Sequence, residues 1–161
     1  KGFSNMRFGE DIDLSIRIIQ NKFQTRLFKD AYVFHKRRTT IKQFFKQIFN
    51  SGIARIQLFL RYPFSLKFVH LLPVFFLIIF LTSIFLGSFF SIYFLFPFLL
   101  YMLILFLDST FKNRSLIIGL LSIATSYIQL LSYGLGFLFS FWKSIILKQG
   151  SFSAFEKDFY K

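Results

Sequence analysis

The sequence predicts an α-helical membrane protein with a partial α/β segment at its N-terminus, then an amphipathic interface helix and two to three transmembrane helices. Of the 161 residues, 55% are hydrophobic and 28 are phenylalanine, and the mean hydropathy is +0.57. Three long apolar segments fill the C-terminal two-thirds, whereas the first third is polar and basic. Because the surface of a water-soluble domain must face water, this composition indicates a surface that faces lipid.

The charge distribution indicates what kind of partner the basic residues bind. Residues 1–67 contain fourteen lysines and arginines against four acids, and residues 68–107 contain no charged residue. Basic residues that stop where apolar segments begin follow the positive-inside rule, so we expect the first third in the cytoplasm. The pattern favours membrane lipids over nucleic acid as the partner. The absence of cysteine excludes disulfides and thiolate metal sites.

Residues 1–38 have the composition of a water-soluble segment. Glu10 and Asp11 follow Gly9 and precede a mixed apolar run, which predicts a helix with acids in its first turn. The runs Thr25–Phe28 and Ala31–His35 are short, β-branched or aromatic, and predict two strands around a turn.

Residues 39–62 predict a basic amphipathic helix. Thr40 is a candidate N-cap, apolar residues recur at helical spacing, and lysines and arginines occupy much of the remainder. Such a helix is expected to lie in the headgroup layer, with Gly52 as a possible bend and Pro63 as its end. The alternative, a helix packed on its own soluble domain, stays open.

Two spans form a predicted transmembrane hairpin in residues 63–107. Phe68–Leu86 and Ser88–Leu107 each approach the ~20 apolar residues that a bilayer core requires, and a short turn at Gly87 joins them. Residues 108–115 are then expected to form a cytoplasmic loop.

The third apolar segment, residues 116–142, contains three glycines at which it is expected to tilt or break. A full third span would place the polar tail, residues 143–161, outside. The lysines of that tail favour the inside, which a re-entrant segment would allow. Both topologies stay open.

Chemistry is concentrated near the start of the chain. Glu10 and Asp11 are adjacent carboxylates at a helix N-terminus, where the dipole keeps them ionised. An ionised carboxylate can accept a proton from a hydroxyl group or help to bind a hard cation. His35 offers an imidazole to a metal. Helix capping and a structural histidine are the ordinary alternatives for these residues.

The order of these elements resembles the C-terminal part of membrane-bound family-2 glycosyltransferases of the GT-A fold. The resemblance rests on Gly9-Glu10-Asp11-Ile12-Asp13-Leu14-Ser15-Ile16-Arg17, on the strand pair ending in His35, and on the basic helix followed by spans. It implies that residues 1–38 are the last piece of a GT-A catalytic domain. The nucleotide-binding half, with its Asp-x-Asp motif, is then expected upstream, and this fragment alone is expected to be inactive.

The resemblance also implies roles for the acidic residues. Asp11 corresponds to the catalytic base that deprotonates the acceptor hydroxyl group, with inversion at the anomeric carbon. Glu10 would orient the acceptor, and Asp13 would stabilise the loop and helix. The implied substrates are a nucleotide-sugar donor and a lipid-linked or glycan acceptor.

For the diphosphate side, the resemblance implies a divalent metal, magnesium or manganese, held mostly by the upstream half with His35 as a further ligand. Arg37 and Arg38 would add positive charge near the diphosphate, unless they are cytoplasmic-side anchors. Gln47 and Arg55 are the substrate-binding candidates on the basic helix.

Two considerations limit these expectations. Processive family members carry Gln-x-x-Arg-Trp, but here no tryptophan follows Gln47 or Arg55, which favours transfer of single sugars. The alternative function is that of a non-enzymatic, membrane-anchored scaffold or assembly subunit, in which Glu10 and Asp11 only cap a helix. A transporter is disfavoured, because His70 is the sole ionisable residue in the first two spans.

Overall fold

The structure is a computed structural model that describes residues 2–4, 6, 8–34, 40–150 and 152. Its regular elements are helices: α1 (Glu10–Gln20), α2 (Ile41–Arg61), α3 (Leu72–Phe89), α4 (Phe96–Asn113) and α5 (Leu116–Phe141), with a π-helical turn at Trp142–Ile146. Three short 3₁₀ turns lie at Pro63–Ser65, Phe68–Leu71 and Ile92–Leu95.

Three helical segments are long and apolar enough to cross a membrane: Phe68–Phe89, Ile92–Asn113 and Leu116–Ile146. Their mean hydropathies are 2.5, 2.0 and 1.6. Large apolar side chains on all three are exposed, such as Ile79, Leu103 and Leu120. These surfaces are compatible with lipid contact, and the helices suggest that the chain associates with a membrane.

The predicted strand pair is wrong for the described residues. Positions 23–34 are irregular with a turn at Lys29-Asp30, so the described part shows no α/β segment. Leu27, Val33 and Phe34 are about nine-tenths exposed. A strand needs a partner, and a lone two-stranded hairpin is marginal in water. The β-propensity of these runs is therefore insufficient without a sheet edge beside them.

The turn between the first two spans lies later than expected. Gly87 and Ser88 are inside α3, and the connection is formed by residues 90–95. Within the helix, the Ser88 hydroxyl group donates to the Ile84 carbonyl oxygen at 2.9 Å, so it has a partner there. Pro97, in the first turn of α4, is the sequence signal for the new boundary.

The predicted cytoplasmic loop at 108–115 is mostly helix. Asp108 and Lys112 form an i,i+4 ion pair at 2.8 Å that continues α4 to Asn113. Arg114, with a left-handed φ of 51°, ends the helix, and Ser115 caps α5 by accepting from the Ile118 amide. The loop was predicted from polarity alone, and a polar helix end has the same composition as a polar loop.

The glycines of the third apolar segment do not break it, since α5 is continuous from Leu116 to Phe141. They lie where other helices approach. A Cβ at Gly119 would overlap Thr110 of α4, and one at Gly134 would lie 2.8 Å from the Pro73 carbonyl oxygen. Small residues let membrane helices approach closely, so these glycines mark helix contacts.

The α2 helix packs against the C-terminal half of α5. A Cβ at Gly52 would overlap the Tyr133 carbonyl oxygen, and one at Gly136 would overlap that of Phe49, so the two backbones are in contact. Ile56 and Phe137 are buried in the core between them. Much of the apolar face of α2 is therefore covered by α5.

The limits of α2 agree with the sequence. The Thr40 hydroxyl oxygen accepts from the Gln43 amide at 3.2 Å, which confirms the N-cap. The helix ends at Arg61, two residues before Pro63, as expected. Gly52 lies within one continuous helix.

An aromatic cluster joins α3, α4 and α5. Tyr127 of α5 lies against Phe76, Phe80 and Tyr101, with ring centroids 5.6–5.8 Å apart. Its hydroxyl group donates to the Phe98 carbonyl oxygen at 3.0 Å. A satisfied phenol and several edge-on ring contacts hold the three apolar helices together.

The glycine contact between α2 and α5 can be tested with Gly136→Ala. The added methyl group would overlap the Phe49 carbonyl oxygen, and a helix backbone cannot yield as a side-chain tip can. We expect a net loss of about 1–3 kcal/mol in unfolding free energy, despite the higher helix propensity of alanine. Chemical unfolding in detergent measures it. Gly2→Ala, with open space at its Cβ, is the control, and equal stability of both variants would contradict the contact.

Candidate functional site

The acidic motif begins with a glycine that fits closely against α2. Gly9 has a left-handed φ of +82°, and its carbonyl oxygen accepts from the Asp13 amide at 2.9 Å. A Cβ here would lie 3.2 Å from Leu58 and 3.5 Å from Ala54. Glycine is favoured by both its backbone angle and its close packing. It positions the first turn of α1 on the surface of α2.

Asp13 is the fully buried centre of a polar network between α1 and α2. One carboxylate oxygen, Oδ2, accepts from Arg17 Nε at 3.0 Å within α1. The other, Oδ1, accepts from Arg61 Nη1 and from the Tyr62 hydroxyl group, both at 3.0 Å. Arg17 also donates to the Gly2 carbonyl oxygen at 2.8 Å. The network agrees with the stabilising role expected for Asp13.

The surroundings of Asp13 keep it ionised. Burial raises the pKa of Asp13, but the hydrogen bonds from its donors, Arg61 foremost, outweigh burial and hold the pKa below its usual range. Burial and the bond to Asp13 raise the pKa of Tyr62, so its phenol remains a donor. The network thus has a carboxylate acceptor and protonated donors at neutral pH.

Asp11 and Glu10 have different environments from Asp13. Asp11 is exposed and Glu10 is half-buried, at the first turn of α1. Two residues correspond to about 200° around a helix, so Asp11 points away from the side on which Asp13 contacts α2. The predicted base is therefore accessible, whereas its neighbour is enclosed.

A cavity of about 300 Å³ adjoins this network. Three segments line it, at Met6, Gln57, Leu60, Arg61, Gln149 and Gly150. Arg61 links the cavity to Asp13, and Gln57 donates to Ser144 at 2.8 Å. Sequence reasoning missed this cavity. The i,i+4 spacing of Gln57 and Arg61 indicates that both lie on one side of α2. It does not indicate that Gln149 and Gly150, after α5, complete the lining of the cavity.

Gln47 and Arg55, the predicted site residues on α2, are not gathered around the acidic turn. The guanidinium group of Arg55 lies near the Tyr133 hydroxyl group of α5. It projects about 120° away from Arg61 around α2. Gln47 is half-buried and about 12 Å further along that helix. His35, Arg37 and Arg38 lie outside the described residues, so their roles stay predictions.

The described residues do not form a complete metal site. They contain no group of three or more histidine, cysteine or acidic side chains that could hold a metal ion. Asp13 is occupied by Arg17 and Arg61, which leaves Glu10 and Asp11 as available oxygen donors. Two carboxylates provide only part of the coordination shell of a divalent cation.

No protein-family model, curated protein or solved structure matches this chain. The resemblance to family-2 glycosyltransferases therefore rests on the motif at residues 9–17 and on the order of the elements that follow. It stays a prediction.

The Asp13 network predicts a specific stability defect. Asp13→Asn removes the charge that Arg17 and Arg61 share, while it keeps the side-chain shape. Both arginines are partly exposed, so we expect a loss of about 1–3 kcal/mol in unfolding free energy, below that of a fully buried pair. Chemical unfolding measures it. Asp108→Asn removes a charge from the exposed pair with Lys112 and should cost less than about 0.5 kcal/mol. Equal losses would contradict a special role for Asp13.

The same network predicts the pH dependence of stability. The pKa of Asp13 is lower in the folded chain than its ordinary value of 3.8. Its contribution is therefore fully present above that value and is lost as the pH falls through the folded pKa. We expect the stability difference between the wild type and Asp13→Asn to be constant from pH 7 to about 5 and to shrink under stronger acid. Thermal unfolding across this range measures it, and a difference that grows in acid would refute the lowered pKa.

Proposed function

We propose that this chain is the membrane-anchored, acceptor-side part of an inverting glycosyltransferase whose catalytic part faces the cytoplasm. The observation that carries the proposal is the difference in burial between two carboxylates of the motif at residues 9–17. Asp13 is buried and fastens the acidic turn to α2, while Asp11 is left exposed at the helix N-terminus. An accessible, ionised carboxylate on a fixed backbone is what a general base requires.

In the proposed reaction, the Asp11 carboxylate takes the proton of the acceptor hydroxyl group. The acceptor oxygen attacks the anomeric carbon of the nucleotide sugar, the bond from that carbon to the diphosphate oxygen breaks, and the configuration inverts. Glu10 orients the acceptor through a hydrogen bond. Positive charge from Arg37 and Arg38 acts on the diphosphate. A divalent metal, magnesium or manganese, would neutralise charge on the leaving group, with His35 and upstream residues as its ligands.

The acceptor is proposed to be lipid-linked or a glycan precursor at the membrane surface. The acidic turn is attached to α2, and α2 packs on α5, one of the apolar helices. The attachment keeps Asp11 near the bilayer. The adjoining cavity supports a hydroxylated acceptor, because the Gln57 and Gln149 amides in its lining both donate and accept hydrogen bonds and the Arg61 guanidinium group donates them.

A non-enzymatic scaffold or assembly subunit is the second candidate. In its favour, many of the described polar and small residues have a structural role, either in the Asp13 network or at the glycine contacts between helices. On this hypothesis Asp11 contributes only to helix capping, so its charge is dispensable.

The two candidates differ in the effect of Asp11→Asn. The variant is made in the protein that includes the proposed upstream donor-binding half, in membranes. We expect glycosyl transfer to fall by about 10²–10⁴-fold, because the amide cannot accept the proton. Unfolding free energy should change by less than about 0.5 kcal/mol, since Asp11 is exposed. Radiolabelled donor transfer measures the activity.

Asp30→Asn is the matched control, since it removes the same charge from an exposed position in the irregular segment. It should retain full transfer. Wild-type turnover by the Asp11 variant would exclude Asp11 as the base. Absence of transfer from every nucleotide sugar, with normal membrane insertion, would favour the scaffold.

A further inference from the structure

Four polar side chains lie around the place where α2, the segment before α3 and α5 come together, since Leu66, Leu71 and Tyr133 all pack against the core that contains Ile56. The Arg55 guanidinium group lies near the Tyr133 hydroxyl group. The charges of Arg55 and Lys67 both act on His70, at the start of the first apolar segment. Arg55, Lys67, His70 and Tyr133 are called the junction cluster below. The cluster gathers positive charge on the side of α2 away from Asp13.

The junction cluster has donors that the described protein does not satisfy. Arg55 Nε is buried and has no hydrogen-bond partner among the described residues. Within the same residues neither Arg55 nor Lys67 forms an ion pair; the pairs are those of Asp13 with Arg17 and Arg61 and of Asp108 with Lys112. A buried donor without a partner destabilises the fold, and a charged one does so more than a neutral one. An anion at this position would remove that destabilisation.

His70 is oriented to donate in the same way. Its Nδ1 accepts from the Lys67 backbone amide at 3.0 Å. The neutral ring therefore carries its proton on Nε2, which is left as a donor. Arg55 and His70 together can bond to more than one oxygen of a tetrahedral anion, as a planar guanidinium group does with phosphate.

The position of the cluster indicates the source of the anion. Lys67 and His70 directly precede α3 at the start of the segment Phe68–Phe89, where an apolar span meets the headgroup layer. Phe68 and Val69 are 70% and 57% exposed beside them. Positive donors next to exposed apolar side chains match a molecule with a phosphate group and an acyl chain.

We propose that the junction cluster binds the phosphate group of an anionic membrane phospholipid. Arg55 and His70 donate to its oxygens, Lys67 contributes charge, and Phe68 with Val69 contact its acyl chain. This site does not depend on glycosyl transfer, and it gives Arg55 a lipid partner in place of the donor diphosphate.

The test is lipid binding by the full chain in neutral detergent. Dioctanoyl phosphatidylglycerol, dioctanoyl phosphatidylcholine and inorganic phosphate are titrated separately by calorimetry. We expect phosphatidylglycerol to bind most tightly. Arg55→Gln should weaken its binding by roughly 10–100-fold, as expected for loss of charged hydrogen bonds. Lys42→Gln removes one charge from an exposed position on the same helix and should change binding by less than about twofold.

Equal weakening by Arg55→Gln and Lys42→Gln would overturn the proposal, because it would indicate unspecific attraction to the basic helix. Inorganic phosphate that binds as tightly as phosphatidylglycerol would overturn the lipid source. If Arg55→Gln fails to fold, Lys67→Gln decides, since Lys67 is exposed. It should weaken phosphatidylglycerol binding more than Lys42→Gln does, and an equal effect of the two would refute the site.

Discussion

The backbone contact between α2 and α5 is the interaction on which the rest of the structure depends. Gly52 and Gly136 allow the two helices to touch, and Ser140 donates to the Ile53 carbonyl oxygen within the contact. Gln57 adds a bond to Ser144. Interhelical hydrogen bonds of this kind contribute about 0.6–2 kcal/mol each in membranes. Because α3 and α4 also pack on α5 while α1 packs on α2, this contact joins the polar third of the chain to the apolar helices.

The carboxylates of one short motif lie on different sides of α1, with Asp13 buried and Asp11 exposed. A two-residue offset on a helix turns one carboxylate toward α2 and the other toward solvent. The inner carboxylate binds Arg61 and Tyr62 and fixes the backbone of the turn. The outer one, on Asp11, is exposed to solvent. The acidic composition that predicted a catalytic motif and the ordinary capping interpretation are therefore compatible.

Local signals predicted the fold well, and long-range ones did not. Thr40 and Pro63 delimit α2 as expected, and the acids after Gly9 start α1, because caps and breakers act over a few residues. The strands were wrong for the described residues, because a strand depends on a neighbouring sheet edge. The turn at Gly87 and the loop at 108–115 were wrong, because glycine and polar residues also occur within and at the ends of helices. The Asp13–Arg61 pair spans 48 residues, and no spacing rule connects such positions. The general region of the site was thus predictable, but its hydrogen-bonded partners were not.

The dependence of α2 on α5 has a consequence for biosynthesis. Ile53 and Ser140 are 87 residues apart, so the ribosome needs roughly 4–17 s to make the partner after α2 has emerged. During that interval the face of α2 that later contacts α5 lacks that helix as its partner. Because the helix is amphipathic, we expect it to bind at the bilayer surface until α5 has been made. The segment made late in the chain completes the packing of one made early, so assembly is expected to finish only after the last apolar helix has inserted.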